Sequence, residues 1–328
     1  MTTTLQFLFP AKRAPFLRTL GLFVLLFLTL GRAAAQTPEA WQALDADVTL
    51  YMANDLGRNG YYDQKKIAEL MGTMAETVGP DAVLAVGDVH HFNGVVSTQD
   101  PLWTTNYELV YSHPELMIDW MPVLGNHEYR GNTQAVLDYA QVSRRWVMPA
   151  RYYTRVFSHK GTTLRVIMLD TTPLIDRYRE DSAVYPDAGR EDMQPQLEWL
   201  DRTLAAAQED WVIVLGHHPI YADTSKPLSE RTDMQARVLP ILHKYNNKVA
   251  LYACGHIHNF QHLRLAGDPI DYVVNSSASL SRKVKPTEGT VFCSSEDGFS
   301  VISADKQQLR LSMIDNEGRV LHTITRTK

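Results

Sequence analysis

Apolar runs of strand length alternate with segments whose apolar residues recur at helical spacing. The short runs predict buried strands, and the longer segments predict amphipathic helices with one buried face. The predicted helices span residues 63–77, 196–207 and 234–245. The predicted strands span residues 48–53, 82–86, 121–124, 211–215, 249–253, 270–275, 299–302, 309–314 and 320–325.

This order of elements predicts an α/β fold. Strands alternate with helices through the first two thirds of the chain, and a run of strands follows. Such an order is typical of mixed sheets packed face to face with helices on their outer surfaces. No stretch has the composition of a linker or of an internal repeat, so we expect one domain.

The N-terminus has the three-part layout of a secretory signal peptide. Lys12, Arg13 and Arg18 precede an apolar run over residues 20–30, and small residues at 33–35 offer a cleavage site. The alternative is an uncleaved membrane anchor, but an apolar run of about 11 residues is short against the roughly 20 that span a bilayer.

Cleavage would leave residues 36–328 as a mature catalytic domain in the periplasm or outside the cell. Removal of four basic residues and no acidic ones takes the formal net charge from −5 to −9. An acidic surface without a basic patch does not favour nucleic acid or anionic lipid. We therefore expect neither a nucleic-acid partner nor a stable membrane anchor.

Five of the predicted strands are followed by residues that commonly bind metal ions. These residues are Asp55, Asp88, Asn126, His217 and the pair His256 and His258, and four of the five loops place the residue directly after a glycine. In α/β sheets the carboxyl ends of strands face the ligand crevice, so the five loops can meet at one site. The glycines permit tight turns and close backbone approach there.

The residue types favour two metal ions of the Zn²⁺, Mn²⁺ or Fe class. Carboxylate, amide and imidazole donors together suit these ions, and the set is larger than one ion requires. A pair of ions about 3.5–4 Å apart is the usual arrangement for in-line attack at phosphorus. Any one of these motifs alone is weak, because a single Asp often caps a helix and a single His is usually structural.

Four segments carry a resemblance to a known family: Gly87-Asp88, Gly125-Asn126-His127-Glu128, Gly216-His217-His218-Pro219 and Gly255-His256-Ile257-His258. In this order they resemble the signature of the calcineurin-like metallophosphoesterases. Residues 196–200, 211–219 and 254–261 further resemble the low-molecular-weight purple (tartrate-resistant) acid phosphatases. The resemblance implies a four-layer sandwich of two mixed sheets and their flanking helices.

The resemblance also implies a role for each residue. Asp88 would bridge the two ions. Asp55 and His258 would hold the first ion, and the second would be held by Asn126, His217 and His256. His127 would face the leaving-group oxygen as general acid or charge stabiliser.

One position departs from the family pattern. The wider family has Asp-x-His in its first motif, whereas this chain has Asp55-Leu56-Gly57 and so lacks that histidine ligand. The purple enzymes compensate with a Tyr three residues after the bridging Asp, and its bond to Fe(III) gives their colour. This chain has His91 there. We predict that His91 replaces the missing ligand and favours divalent ions; His90, Tyr61 and Tyr62 are the alternatives.

The resemblance implies a secreted phosphatase that hydrolyses small phosphate monoesters by attack of metal-activated hydroxide on phosphorus. A phosphodiesterase or nucleotidase on the same core is the first alternative, because the ligands do not distinguish the ester type. A metal-binding module that has lost catalysis is the second. Retention of His127 beside a full ligand set argues against such a module.

Overall fold

The computed structural model describes residues 38–328. The predicted signal peptide at 1–35 lies outside this range. The strands are β1 (Val48–Ala53), β2 (Ala82–Ala85), β3 (Asp119–Pro122), β4 (Tyr153–His159), β5 (Thr162–Met168), β6 (Trp211–Leu215), β7 (Val249–Cys254), β8 (Phe260–Leu263), β9 (Asp271–Val274), β10 (Thr290–Ser294), β11 (Gly298–Ala304), β12 (Gln308–Asp315) and β13 (Val320–Thr327). The α-helices are α1 (Pro38–Gln42), α2 (Gln64–Val78), α3 (Thr133–Asp138), α4 (Asp176–Glu180), α5 (Gln194–Ala206), α6 (Leu228–Arg237) and α7 (Leu239–Lys244).

The strands form two mixed sheets, which confirms the predicted α/β arrangement. A six-stranded sheet has the order β13-β12-β11-β1-β2-β3, and a seven-stranded sheet has the order β10-β8-β9-β7-β6-β5-β4. Strands β1, β2 and β3 are parallel to one another, as are β5, β6, β7 and β9. The two sheets meet where β1 contacts β4 and β5.

Burial on both faces accounts for the apolar runs that the sequence displays. Every residue of β1, β2, β6 and β7 is buried, as expected for central strands covered on both sides. The periodicity predicts a buried face of Ile67, Leu70, Met71 and Met74 on helix α2, and all of these are buried except Leu70, which is half-buried.

One predicted helix is wrong in extent. The segment 234–245 is not continuous, because α6 ends at Arg237 and α7 begins at Leu239. Pro240 lies in the first turn of α7, where its missing amide hydrogen does no harm, whereas in the middle of one long helix it would remove a hydrogen bond and cause a clash. The proline therefore divides the segment.

Four strands have no counterpart in the prediction. Strands β4 and β10 are edge strands with largely half-buried or exposed residues, so their sequences lack an apolar run. Strand β5 alternates between buried and half-buried positions before it becomes fully buried. Strand β8 is buried, but its polar residues Gln261 and His262 conceal it in the sequence.

In the described part of the chain, no helix has both the length and the apolar character needed to cross a bilayer.

Candidate metal centre

Parallel strands from both sheets deliver polar side chains to one region. Asp55 and Asp88 follow β1 and β2, Asn126 follows β3, and His217 and His256 follow β6 and β7. All five side chains are buried. Buried carboxylates and imidazoles are costly unless they are paired or bind a metal, so their convergence indicates a functional site.

The backbone at this site adopts an unfavourable conformation. Asp55, Asp88, His256 and His258 have φ angles of 51°, 53°, 70° and 65°. Residues other than glycine seldom adopt this left-handed conformation, and where they do the strain tends to cluster at functional sites. These four residues lie in three loops, which follow β1, β2 and β7.

Close approach explains two of the glycines that precede these residues. A Cβ atom on Gly125 would lie 2.2 Å from Oδ1 of Asp88, and one on Gly87 would lie 2.4 Å from Nδ1 of His217. Both distances are far below van der Waals contact. Glycine is therefore needed at these positions to bring the loops together.

Backbone carbonyl groups fix the orientation of three imidazoles. The Nδ1 atoms of His127, His217 and His258 donate to the carbonyl oxygens of Phe92 (2.6 Å), Val86 (2.9 Å) and Leu280 (2.9 Å). A carbonyl oxygen can only accept, so Nδ1 of each ring carries a proton and Nε2 is the nitrogen that a metal ion could bind. Each ring thereby offers Nε2 to the site.

These Nε2 atoms meet the two aspartates. Nε2 of His258 lies 2.9 Å from Oδ1 of Asp55, and Nε2 of His217 lies 3.1 Å from Oδ2 of Asp88. His91 lies between the aspartates, with Nε2 3.9 Å from Oδ1 of Asp55 and 3.6 Å from Oδ2 of Asp88. His127 is more distant, at 3.8 Å from Oδ2 of Asp88.

Charge interactions within the cluster shift several pKa values. Burial alone would raise the pKa of Asp88, but His217, His127 and His91 outweigh it and hold the pKa well below its usual range. Burial would lower the pKa of His217, yet Asp88 raises it to about 9. His91 has its pKa lowered, mainly by burial. The site thus stabilises carboxylates beside positive charge, which a bound cation would also supply.

Four overlapping groups have donor atoms close enough to share an ion. In each group the atoms lie within 4.8 Å of one another. The groups are Asp55, His91 and His258; Asp55, Asp88 and His217; Asp88, His91 and His127; and His217, His218 and His256. They include every predicted ligand except Asn126, which offers an amide oxygen. They also include His127 and His218, which were not predicted as ligands.

The buried donor atoms fit metal ions because many of them have no other partner. Within residues 38–328, Oδ1 of Asn126, both ring nitrogens of His91 and Nε2 of His218 are buried without a hydrogen bond. Oδ1 of Asp55 and Nε2 of His217 face His258 and Asp88 of the same cluster. A native protein rarely leaves so many polar atoms unsatisfied in one place. Two cations would satisfy them.

Three other residues, His90, Tyr61 and Tyr62, were the alternatives to His91 as a ligand. His90 packs edge-on against Trp103, with ring centroids 4.4 Å apart, and its Nδ1 faces Asn106 at 3.4 Å. Tyr61 and Tyr62 are largely exposed. Of these candidates, His91 is the one whose Nε2 lies near both aspartates.

Two buried glutamates support the site and were missed by sequence reasoning. Glu128 accepts hydrogen bonds from the backbone amides of Asp88, His90 and Gly125 at 2.8, 3.0 and 2.8 Å. Glu230 lies on α6 and meets Nε2 of His256 at 3.0 Å. Glu128 belongs to a recognised motif, which could have suggested a role. Glu230 has no such signal, because only the folded chain brings it to His256.

A third missed contact orients Asp55. Its Oδ2 accepts from Nδ2 of Asn54 (2.7 Å) and from the backbone amide of His256 (2.8 Å). Both bonds occupy Oδ2, so Oδ1 remains for the site. Asn54, which had no role in the sequence analysis, is itself held by Asn275 at 2.6 Å.

A two-sheet α/β core with a buried cluster of carboxylates and imidazoles at its strand ends is an arrangement typical of metal-dependent hydrolases. The Calcineurin-like phosphoesterase family matches residues 48–260, and the chain belongs to this family.

Two curated relatives and one solved structure are similar along most of the chain. Purple acid phosphatase 3 of Arabidopsis thaliana is 30% identical over 292 residues, which cover 85% of this chain and 77% of that protein. Tartrate-resistant acid phosphatase type 5 of Mus musculus is 30% identical over 269 residues, which cover 77% of this chain and 81% of that protein. The structure described as GAP50, the anchor in the inner membrane complex of Plasmodium, has a TM-score of 0.72 at 22% identity. The match covers 85% of this chain and 88% of that chain, and it shows likeness of fold.

Family membership, these relatives and the clustered donors identify the chain as a metal-dependent phosphatase with a centre for two metal ions.

Proposed function

We propose that the protein is a secreted or periplasmic phosphatase that hydrolyses small phosphate monoesters at a centre of two divalent ions. The observation that carries this proposal is the position of Asp88. Its Oδ2 lies 3.1 Å from Nε2 of His217 and 3.6 Å from Nε2 of His91, two imidazoles that we assign to different ions. One oxygen between two such donors is suited to a bridging carboxylate. The secreted location rests on the N-terminal sequence pattern.

The ligand assignment is the one that the family resemblance implies, and the groups of neighbouring donor atoms support it for every ligand except Asn126. We assign Asp55, His91 and His258 to the first ion and Asn126, His217 and His256 to the second, with Asp88 shared. When bound, the ions would activate water for attack on phosphorus and neutralise charge on the phosphate oxygens. The protein holds the donors rigidly through Glu128, Glu230 and the backbone carbonyls.

His127 is suited to act on the leaving group. Its ring is partly exposed and fixed by the Phe92 carbonyl, and its Nε2 lies farther from Asp88 than the Nε2 of His217 does. A positioned imidazole of this kind can protonate a departing alkoxide or stabilise its charge. Burial lowers the pKa of His127 more than Asp88 raises it.

The proposal is tested with the purified mature chain loaded with Zn²⁺, Mn²⁺ or Fe. Metal analysis should give two ions per chain, and the loaded protein should hydrolyse nitrophenyl phosphate faster than bis-nitrophenyl phosphate. Faster hydrolysis of the bis-ester would favour the phosphodiesterase instead. Two bound ions without hydrolysis of either ester would favour a metal-binding module.

The assignment of His91 has a spectroscopic test. An iron-loaded wild-type protein should lack the visible tyrosinate–Fe(III) band, because an imidazole replaces the tyrosine. A His91→Tyr variant should gain that band. A band in the wild-type protein would show that a tyrosine coordinates iron and that the assignment is wrong.

A further inference from the structure

A cavity of about 480 Å³ opens beside His91. It is lined by Arg58, Tyr61, Tyr62 and Phe92 together with Gly57 and Asn59. The three aromatic residues Tyr61, Tyr62 and Phe92 are 72%, 65% and 64% exposed. Large apolar rings gathered at the surface commonly mark a binding site. Because His91 forms part of the wall, whatever fills this cavity would lie next to the metal centre.

The loop 57–62, which carries Arg58, Tyr61 and Tyr62, is held in place by hydrogen bonds to two buried side chains. Oε1 of Gln64 accepts from the backbone amides of Arg58 (2.9 Å) and Gly60 (2.8 Å). Oδ1 of Asn106 accepts from the amide of Asn59 at 2.6 Å. A loop fixed in this way loses little conformational entropy when a ligand binds.

Tyr62 is strained without an obvious packing reason. Its φ angle is 55°, a left-handed conformation that is unusual for a bulky residue. The ring remains exposed, so burial does not offset the strain. Strain of this kind is typical of ligand-binding segments, where it presents a side chain in a set position.

Arg58 supplies a positive charge to the lining of the cavity. The residue is only 7% exposed, its guanidinium lies 4.9 Å from the centre of the Phe92 ring, and its buried Nε has no hydrogen-bond partner within residues 38–328. Asp55 and Asp88 attract it electrostatically, whereas Arg282 repels it. Ions bound to the two aspartates would offset that attraction and leave the guanidinium in need of an anion.

Phe92 connects this cavity with the leaving-group side of the reaction. Its carbonyl oxygen accepts the Nδ1 proton of His127 at 2.6 Å, and its ring forms one wall of the cavity. If His127 faces the leaving-group oxygen, the remainder of the leaving group has this cavity immediately beside it.

We propose that the cavity beside His91 is the leaving-group subsite, and that it takes phosphate monoesters whose leaving group is a planar aromatic ring bearing a second acidic group. The ring would pack against Phe92, Tyr61 and Tyr62, and the acidic group would pair with Arg58. This inference rests on the proposed phosphatase function.

Binding of non-hydrolysable phosphonates tests the subsite separately from catalysis. Calorimetry with the metal-loaded protein would compare methylphosphonate, phenylphosphonate and 4-carboxyphenylphosphonate. Wild type should bind the last most tightly. Arg58→Met should reduce the preference for the carboxylated over the plain ring by about tenfold or more, the usual value of a charge-assisted bond. Phe92→Leu should weaken both ring compounds relative to methylphosphonate by about threefold to tenfold.

Two further variants control for indirect effects. Arg58→Lys keeps the charge and should retain most of the preference for the carboxylated ring. If Arg58→Met fails to fold, Phe92→Leu still tests the cavity, because its predicted loss for both ring compounds differs from wild type. Arg155 stacks on Phe157 at 5.1 Å on edge strand β4, so Arg155→Met removes a comparable contact elsewhere. It should leave all three affinities unchanged.

The outcomes separate this inference from the proposed function. Equal losses for all three phosphonates in Arg58→Met would show that Arg58 contacts the common phosphoryl group, and unchanged preferences would show that the cavity is not used. Either result overturns the subsite. Hydrolysis of phenyl phosphate by wild type is measured in parallel. Its absence would overturn the phosphatase proposal, while ring-selective binding would still support the cavity as a ligand site.

Discussion

The side chain of Glu128 accepts a hydrogen bond from the backbone amide of Asp88 at 2.8 Å. The same oxygen also accepts from the amide of Gly125 at 2.8 Å. One buried carboxyl group therefore joins the loop after β2 to the loop after β3, and these loops carry the proposed bridging ligand and the proposed amide ligand. The relative position of Asp88 and Asn126 would therefore depend on this contact.

Glu128→Gln should weaken metal binding and destabilise the protein. The amide group would turn its NH₂ toward at least one backbone donor, leaving a buried amide hydrogen unpaired at a cost of about 1–3 kcal/mol in unfolding free energy. Chelator competition for Zn²⁺ and thermal unfolding would measure the two effects. Glu198→Gln, on the exposed face of α5, is the matched control. Equal behaviour of the two variants would show that the bridge between the loops is not needed.

Substitutions of the neighbours Asn126 and His127 should have different effects on metal content and turnover. Asn126→Ala removes an amide oxygen that has no hydrogen-bond partner among residues 38–328, so it should lower both bound metal and turnover. His127→Ala should retain both ions and lose roughly 10²–10⁴ in kcat, the usual contribution of a positioned acid. Metal analysis beside steady-state kinetics distinguishes the two. Loss of metal from His127→Ala would contradict the division of roles.

Local sequence patterns were enough to predict the buried strands and the polar residues that follow them. The glycine-preceded residues after β2, β3, β6 and β7 lie together because parallel strands end at one side of their sheets, and this rule holds without knowledge of strand order. Glu230 could not be predicted, because α6 reaches His256 through tertiary packing alone. Arg58 was missed for a similar reason, since its burial follows from the path of the loop and not from its sequence. Edge strands such as β4 were missed because half-exposed strands lack an apolar run.

Glu230→Gln should reduce metal affinity by about tenfold or more. Carboxylates that accept a hydrogen bond from a ligating imidazole fix its tautomer and make the other nitrogen more basic. Glu230 meets His256 at 3.0 Å, and it also pairs with Arg177 at 2.5 Å. Arg177→Met removes the second contact and retains the first, so its metal affinity should stay close to that of wild type. A comparable loss of metal affinity in both variants would show that the effect comes from the ion pair between Glu230 and Arg177 instead.

Asp170 should make the protein less stable as the pH rises from about 4 to 7. Burial raises its pKa to about 7, although hydrogen bonding from Tyr129 opposes the shift. A carboxyl group with a raised pKa in the folded state binds its proton more tightly there than in the unfolded chain, so its unfavourable contribution appears above the unfolded pKa and is complete above the folded one. This contribution to the free energy of unfolding reaches up to about 4 kcal/mol.

Asp170→Asn keeps the shape and an acceptor for Tyr129, so it should flatten the fall in melting temperature between pH 5 and pH 8. Asp201, on α5, forms an exposed ion pair with Lys244, and Asp201→Asn should leave that fall unchanged. If the Asp170 variant also keeps the full wild-type dependence on pH, Asp170 is ionised throughout and its burial carries no such cost.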